Sequence, residues 1–211
     1  MSEEARNPYA APRAPLTADE AALRTIVKPT FQADVEYGGF WRRVGALLLD
    51  ALIMTPIFSV TYLGVQYSKM FYVWSFIPSL LLGLFYSVWL VQKFGGTPGK
   101  RILGMRIALE NGAAITPKAA LLRYSVIGIL TSIQSYGLLV ATRNISDESY
   151  YGVAYLQKIL ALTAAAPSFY PWISALSRLW MVAVAVTMLC NYRRRALHDY
   201  IAGTVVLRER P

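Results

Sequence analysis

Asp50 interrupts an otherwise apolar run, FWRRVGALLLDALIM over residues 40–54, where it follows Ala46 by four positions and Arg43 by seven. Spacings of three and four put Arg43, Ala46 and Asp50 on one helical face, with the small Ala46 leaving room between the two charges. A carboxylate in low dielectric has its proton affinity raised, and a nearby cation lowers it again. Asp50 is therefore able to trade a proton for Na⁺ or Li⁺ where oxygen ligands converge on it. Near the other end of the chain, Asp199 follows an Arg193–Arg195 run and His198, the only histidine. Asp199 is placed to pair with Arg43 and close the polar stripe from below, while His198 titrates near neutral pH. The competing reading is structural: Arg43, Asp50 and Asp199 form a buried ion-pair network that fixes how the C-terminal segment docks on the first apolar run. The sequence leaves both readings open.

These residues sit in a chain whose composition points to lipid. Of 211 residues, 55% are hydrophobic and 16% charged, and four apolar runs approach the twenty residues that span a hydrocarbon core of about 30 Å at ~1.5 Å per helical residue. The expected spans are Val44–Val65, Phe71–Gln92, Leu121–Thr142 and Trp172–Tyr192. An open sheet is excluded in lipid by its unpaired edge amides, and a barrel needs shorter alternating segments, so the expected fold is an all-α, four-helix transmembrane bundle. Pro56 and Pro78 fall inside the first two spans and are expected to bend them. On this frame Asp50 lies about 10 Å below Arg43, at a cost of about 2.5 to 3.5 kcal/mol for a carboxylate at a span centre, which favours an inward-facing position. Arg178 of the fourth span and Gln134 of the third fall at similar depth and are secondary candidates, read as bonded to each other or snorkelling rather than as ligand contacts.

The net charge of +9 comes from 21 basic residues against 12 acids. Six basic residues precede the first span, six lie between the second and third, and five follow the fourth; only Lys69, Arg143 and Lys158 fall on the other side, with Arg178 inside a span. This bias predicts a multi-pass protein of a bacterial inner membrane with both termini and the central loop in the cytoplasm. It also accounts for the charge without nucleic acid. The segment YLQKILALTAAAPSFY at 155–170 is apolar enough for a fifth crossing, but that would export Arg193–Arg195; it is expected to be an interfacial helix on the outer face, ended by Pro167.

Residues 1–37, polar and rich in Ala and Pro, are expected to form a disordered cytoplasmic tail, with 38–207 the membrane domain and 208–211 a C-terminal tail. In the central loop, the Gly-rich Gly95–Arg101 segment fails as a phosphate loop, having Phe94 where a glycine is required and Arg101 where a Ser or Thr is required. Pro98 and Gly99 read as a tight turn instead. Asn111–Gly112 between RIAL and AAIT predicts a small cytoplasmic β-hairpin, and the C-terminal GTVVLRE is strand-like enough to add to its edge. The single cysteine, Cys190, has no partner for a disulfide. One histidine cannot make a multi-histidine metal site, and no catalytic motif stands out, so neither metal nor cofactor is expected, nor an enzyme.

With these landmarks the chain resembles the RDD family of bacterial membrane proteins, named for one arginine and two aspartates. The resemblance runs from about Gly38 to Leu207 through Arg43, Ala46 and Asp50, then Thr97-Pro98-Gly99-Lys100, then Leu197-His198-Asp199 and Ala202-Gly203-Thr204-Val205-Val206. Arg43 matches the family arginine, Asp50 the first aspartate and Asp199 the second. The resemblance implies transport of unidentified ligands, and for some members exchange of monovalent cations for protons. Its alternative here is a non-transporting scaffold or regulator of a partner protein. Four helices make a thin wall, so the transport reading also predicts a homo-oligomer.

Overall fold

The computed structural model describes residues 36–209, so nearly all of the expected N-terminal tail lies outside the described residues. Helix α1 spans Phe40–Tyr67 and runs through Pro56. Helix α2, Phe71–Leu84, likewise runs through Pro78. It then widens into a π turn at Phe85–Trp89 and resumes as α3, Leu90–Phe94. Gly95 ends α3 in the left-handed region at φ 73°, a conformation that costs glycine nothing. A short helix α4, Pro98–Ile102, leads to strand β1, Met105–Leu109. Helix α5, Pro117–Asn144, starts at Thr116, whose Oγ1 accepts the Ala119 N–H, with Pro117 at the first helical position. Helices α6 (Asp147–Tyr150), α7 (Tyr155–Ala165), α8 (Tyr170–Leu189) and α9 (Leu197–Ala202) follow, and strand β2, Thr204–Arg208, closes the order.

Four helical stretches are long and apolar enough to cross a membrane: Phe40–Tyr67, Phe71–Ile102, Pro117–Asn144 and Tyr170–Leu189. They coincide with the four expected spans. Helix α7, with 11 residues, is a separate short helix that ends at Ala165, two residues before Pro167. Outward-facing Leu47, Leu48, Leu52, Phe58, Ile77, Leu81, Leu179 and Val182 give α1, α2 and α8 an apolar exterior that water would not tolerate at this extent. Helix α5 is the hub, packed against α2, α7, α8 and α9, whereas α1 rests on α2 and α4.

The loop between the second and third spans differs from expectation. Asn111 and Gly112 do form a turn: Gly112 N–H donates to the Leu109 carbonyl at 2.8 Å and Leu109 N–H to the Ala113 carbonyl at 2.9 Å. The second arm, however, makes only one bridge, Ala108 to Ala114. Thr116 and Pro117 begin α5 too soon for that arm to extend, while the β-branched 204–206 segment adds to the opposite edge of β1, as the strand-like GTVVLRE was expected to. β1 and β2 pair antiparallel with Ile107 opposite Val206. One sheet face, Met105, Ile107 and Val206, packs on Ala46, Val91, Ala119 and Ala120; the other, Ala108, Val205 and Leu207, packs on Tyr37. The sheet thus caps the end of the bundle where α1 begins.

At the opposite end the chain is closed by polar bonds. The Tyr150 hydroxyl, fully buried, donates to the Val65 carbonyl near the end of α1. Lys158 of α7, also buried, donates to Gln66 Oε1 at 2.9 Å and lies 4.5 Å from the centre of the Tyr150 ring. Lys69 pairs with Asp147 at 2.5 Å and donates to the Ile145 carbonyl at 3.1 Å. Tyr150→Phe keeps the ring but leaves the Val65 carbonyl without that donor. It is expected to lower stability by about 1–3 kcal/mol, measured as the denaturation midpoint of the purified protein in a neutral detergent.

Candidate functional site

The buried charges gather at the sheet end of the bundle, where three elements meet on one carboxylate. Asp199, on the first turn of α9, has no exposed surface. Its Oδ2 accepts from Arg43 Nη1 at 3.1 Å and from the Ala196 N–H at 3.0 Å, which caps its own helix. Its Oδ1 accepts from Arg123 Nη1 and from Thr204 Oγ1, the latter at 3.2 Å. Arg43 is held by a second bond from Nε to the Gly38 carbonyl at 3.0 Å. Arg123 sits in the second turn of α5; its Nη1 also reaches Thr204 Oγ1 at 3.1 Å, and its Nη2 faces His198 Nε2 at 2.9 Å. Behind them, Arg195 donates to the Asp199 carbonyl at 3.1 Å and pairs with Glu110 at 2.6 Å, tying the Asn111–Gly112 turn to α9.

The protonation states follow from these contacts. Burial alone raises the Asp199 carboxyl, but Arg123, Arg43 and the Ala196 N–H outweigh it and hold the group below its ordinary range. A guanidinium only donates, so His198 Nε2 accepts from Arg123 and the ring carries its proton on Nδ1. Burial, reinforced by Arg123 and only partly opposed by Asp199, pushes His198 down to about 3. His198 is therefore neutral across the physiological range instead of titrating near pH 7, because its neighbour is a fixed cation it must accept from.

Asp50 occupies a separate joint. It is half-buried and turned toward α2 and the α4 turn rather than outward. Its Oδ1 accepts from the Tyr86 hydroxyl at 2.6 Å and the Gly99 N–H at 2.7 Å, and its Oδ2 from Thr97 Oγ1 at 2.6 Å. The carboxylate thus caps the start of α4 from another helix, taking the role that Thr97 at the N-cap does not fill. Only glycine fits at 99: a Cβ there would lie 2.8 Å from Asp50 Oδ1 and closer still to the Ala46 carbonyl oxygen. The space left by Ala46 is taken by this backbone, so Arg43 and Asp50 share a helical face without bonding to each other.

Gln134 and Arg178 do not pair. Gln134 Nε2 donates to Ser177 Oγ at 2.6 Å and to the Ile173 carbonyl at 3.4 Å, joining α5 to α8. Arg178 follows Ser177 and is turned to the outside of the bundle. Among the described residues no group of three or more His, Cys, Asp or Glu side chains is placed to hold a metal ion, and Cys190 is a free thiol.

Sequence reasoning passed over Arg123, Tyr86, Thr97, Gly99 and Thr204 as partners. Arg123 stands at the start of an apolar run rather than inside one, as Asp50 does, and there it reads equally well as a flanking basic residue. Tyr86 lies in the π turn, a distortion that often re-aims side chains at functional positions and that has no mark in composition. Comparison with family models matches residues 37–203 to the RDD family. No curated protein matches the chain.

Asp199→Asn leaves Arg43 and Arg123 facing one another without their counter-charge. It is expected to cost about 3–5 kcal/mol of stability, read by chemical denaturation in detergent. Arg123→Gln in the same chain is expected to recover part of that loss, a coupling that a double-mutant cycle measures. His198 bears on pH. Its folded value of about 3 lies below its ordinary 6.5, so the unfolded chain takes up a proton first and stability falls as pH drops below 6.5. Asp199 adds a further loss in the same direction below its ordinary 3.8. His198→Gln is expected to flatten the stability curve between pH 6.5 and 4 while leaving the steeper acid limb.

Proposed function

The chain belongs to the RDD family, and from that premise we propose that it is a multi-pass protein of the bacterial inner membrane that works as a non-transporting scaffold or regulator of a partner protein. The observation that carries this reading is the full engagement of both carboxylates, Asp199 by four donors and Asp50 by three. Each joins α1 to a short element at the sheet end of the bundle. Asp199 ties α1 and α5 to α9 and β2, and Asp50 ties α1 to the Thr97–Gly99 turn. The chemistry is that of joints that hold a folded layer on the bundle, with no reaction catalysed. The distribution of basic residues supports a cytoplasmic position for that layer and for both termini.

A second reading makes Asp50 a carrier that exchanges Na⁺, Li⁺ or K⁺ for protons in a homo-oligomer. One observation favours it: all three donors to Asp50 are neutral, and two are hydroxyls whose oxygens are able to turn toward a bound cation. Purified protein in liposomes loaded with a pH dye separates the two. The scaffold reading expects no proton movement on addition of any of the three cations. It also expects Asp50→Asn to lower stability by about 1.5–3 kcal/mol through loss of charge-assisted bonds. Cation-driven proton movement that Asp50→Asn abolishes, at unchanged stability, replaces the scaffold with the antiporter.

A further inference from the structure

Beside the Asp199 joint lies a cavity of about 160 Å³ whose polar lining is Ser87, Thr97, Lys100, Arg123, Tyr124 and His198. Its charge does not balance. Three cations, Arg43, Lys100 and Arg123, surround two carboxylates, Asp50 and Asp199, and His198 is neutral because it accepts from Arg123. The two guanidiniums converge on Asp199, and Asp50 is satisfied by neutral donors. Among the described residues, the Lys100 ammonium has neither a hydrogen bond nor an ion pair, although it stands in the field of all four of these charges. The cavity therefore has a free cation and, since Thr97 Oγ1 already donates to Asp50, two uncommitted hydroxyls, Ser87 and Tyr124, with no anion to answer them. An oxyanion fits this set, with the ammonium as a point charge and the hydroxyls as donors.

A second cavity adjoins the first across Tyr124. A groove of about 480 Å³ between α2 and α5 is walled by Leu80, Leu84, Leu121, Ile129 and Ile133, and it shares Tyr124 with the polar cavity. The helix directions lead it away from the sheet end toward the middle of the spans; from Leu121 to Ile133 it covers about 18 Å at ~1.5 Å per residue. Tyr124 is a fixed wall. A Cβ on Gly128 would lie 2.6 Å from its ring, and one on Gly83 would meet its hydroxyl. Both glycines thus admit the ring where two helices approach closely. A charged pocket beside an apolar trough suits an amphiphile, and a free inorganic ion has no use for the trough.

We propose that the cavity holds the phosphate of an anionic phospholipid, with Lys100 as its counter-ion and one acyl chain lying in the groove along α2 and α5. Recognition follows from the surplus charge at the head and from the apolar walls at the tail, so it requires both parts of the same molecule.

The test uses the full chain purified in a neutral detergent. Binding is measured by native mass spectrometry and by thermal unfolding, with dioleoyl phosphatidylglycerol, dioleoyl phosphatidylcholine and inorganic phosphate as separate probes. Phosphatidylglycerol is expected to bind at least about tenfold more tightly than phosphatidylcholine and to raise the unfolding midpoint, while inorganic phosphate leaves the midpoint unchanged. Lys100→Gln is expected to reduce the preference for phosphatidylglycerol to near unity. Equal binding of the two lipids by the native chain overturns the proposal, as does a Lys100→Gln chain that keeps the preference. A stabilisation by inorganic phosphate equal to that by phosphatidylglycerol overturns the lipid assignment in favour of a free oxyanion. The lipid comparisons on the native chain decide the matter even where the variant fails to fold.

Discussion

A charge moved out of water must meet an opposite charge or a set of hydrogen bonds, because its lost solvation amounts to several kcal/mol even after the surroundings relax. Asp199 is the point in this chain where that demand is met most completely. Its carboxylate gathers Arg43, 156 positions away, and Arg123, 76 positions away, together with Thr204 and the amide of Ala196. Once those bonds form, α9 has one position left, against the starts of α1 and α5. Gly203 then turns the chain at φ 61° and delivers β2 directly beside β1. The sheet's place on the bundle is thus a consequence of the ion pairs, with the Met105, Ile107 and Val206 face filling the space they leave.

The second joint works by removal of bulk. Asp50 reaches a backbone amide because neither Ala46 nor Gly99 carries a side chain large enough to hold α1 and α4 apart. A helix as short as α4 has almost no stability of its own, and a carboxylate supplied by another helix satisfies the donors at its start. Pro98 at its first turn sets φ and lacks the donor that would otherwise go unmet. Four successive residues, Thr97 to Lys100, therefore act as one unit: a hydroxyl donor, a preset φ, an amide without a Cβ, and a cation aimed beyond the joint.

How far this could be read from the chain depends on the range of each interaction. The four spans were legible because their signal is local and additive over some twenty residues. Asp50 was legible as a residue needing an inward position, since the cost of a carboxylate among lipid tails requires no knowledge of its neighbours. Its partners were not. The stripe spacing suggested Arg43, whereas the space over Ala46 belonged to a glycine 53 residues further on, and no periodicity encodes that approach. The hairpin was legible in part: Asn111–Gly112 makes the expected turn and the C-terminal strand adds to the other edge of β1, but Thr116–Pro117 ends the near arm after one bridge, a helix start that a turn signal does not encode. Gln134 and Arg178 matched in depth along their helices but not in rotation, so Ser177 took the bond.

The two ends of the bundle are held differently from its middle, and the solvent explains why. Between apolar helices in lipid the hydrophobic effect supplies little attraction, so association depends on close approach and on hydrogen bonds. The helix faces between the ends accordingly use small residues: Gly83 and Gly128 admit Tyr124, and toward the Lys69 end a Cβ at Gly137 would stand 2.8 Å from the Tyr170 ring at the start of α8. The ends use charge and hydroxyls, Asp199 and Asp50 at one and Tyr150, Lys158 and Lys69 at the other. At the Lys69 end the two inward-facing ammoniums, Lys69 and Lys158, are met by Asp147, by the Ile145 carbonyl, by the Gln66 amide and by the Tyr150 ring. At the sheet end the three cations exceed the two carboxylates, so the polar surplus of the bundle is concentrated on one side. A bundle fastened at both ends and packed through glycine in between has little freedom to rearrange except where a polar bond is exchanged, and the sheet end, with a cation left over, is where an added anion would change the balance most.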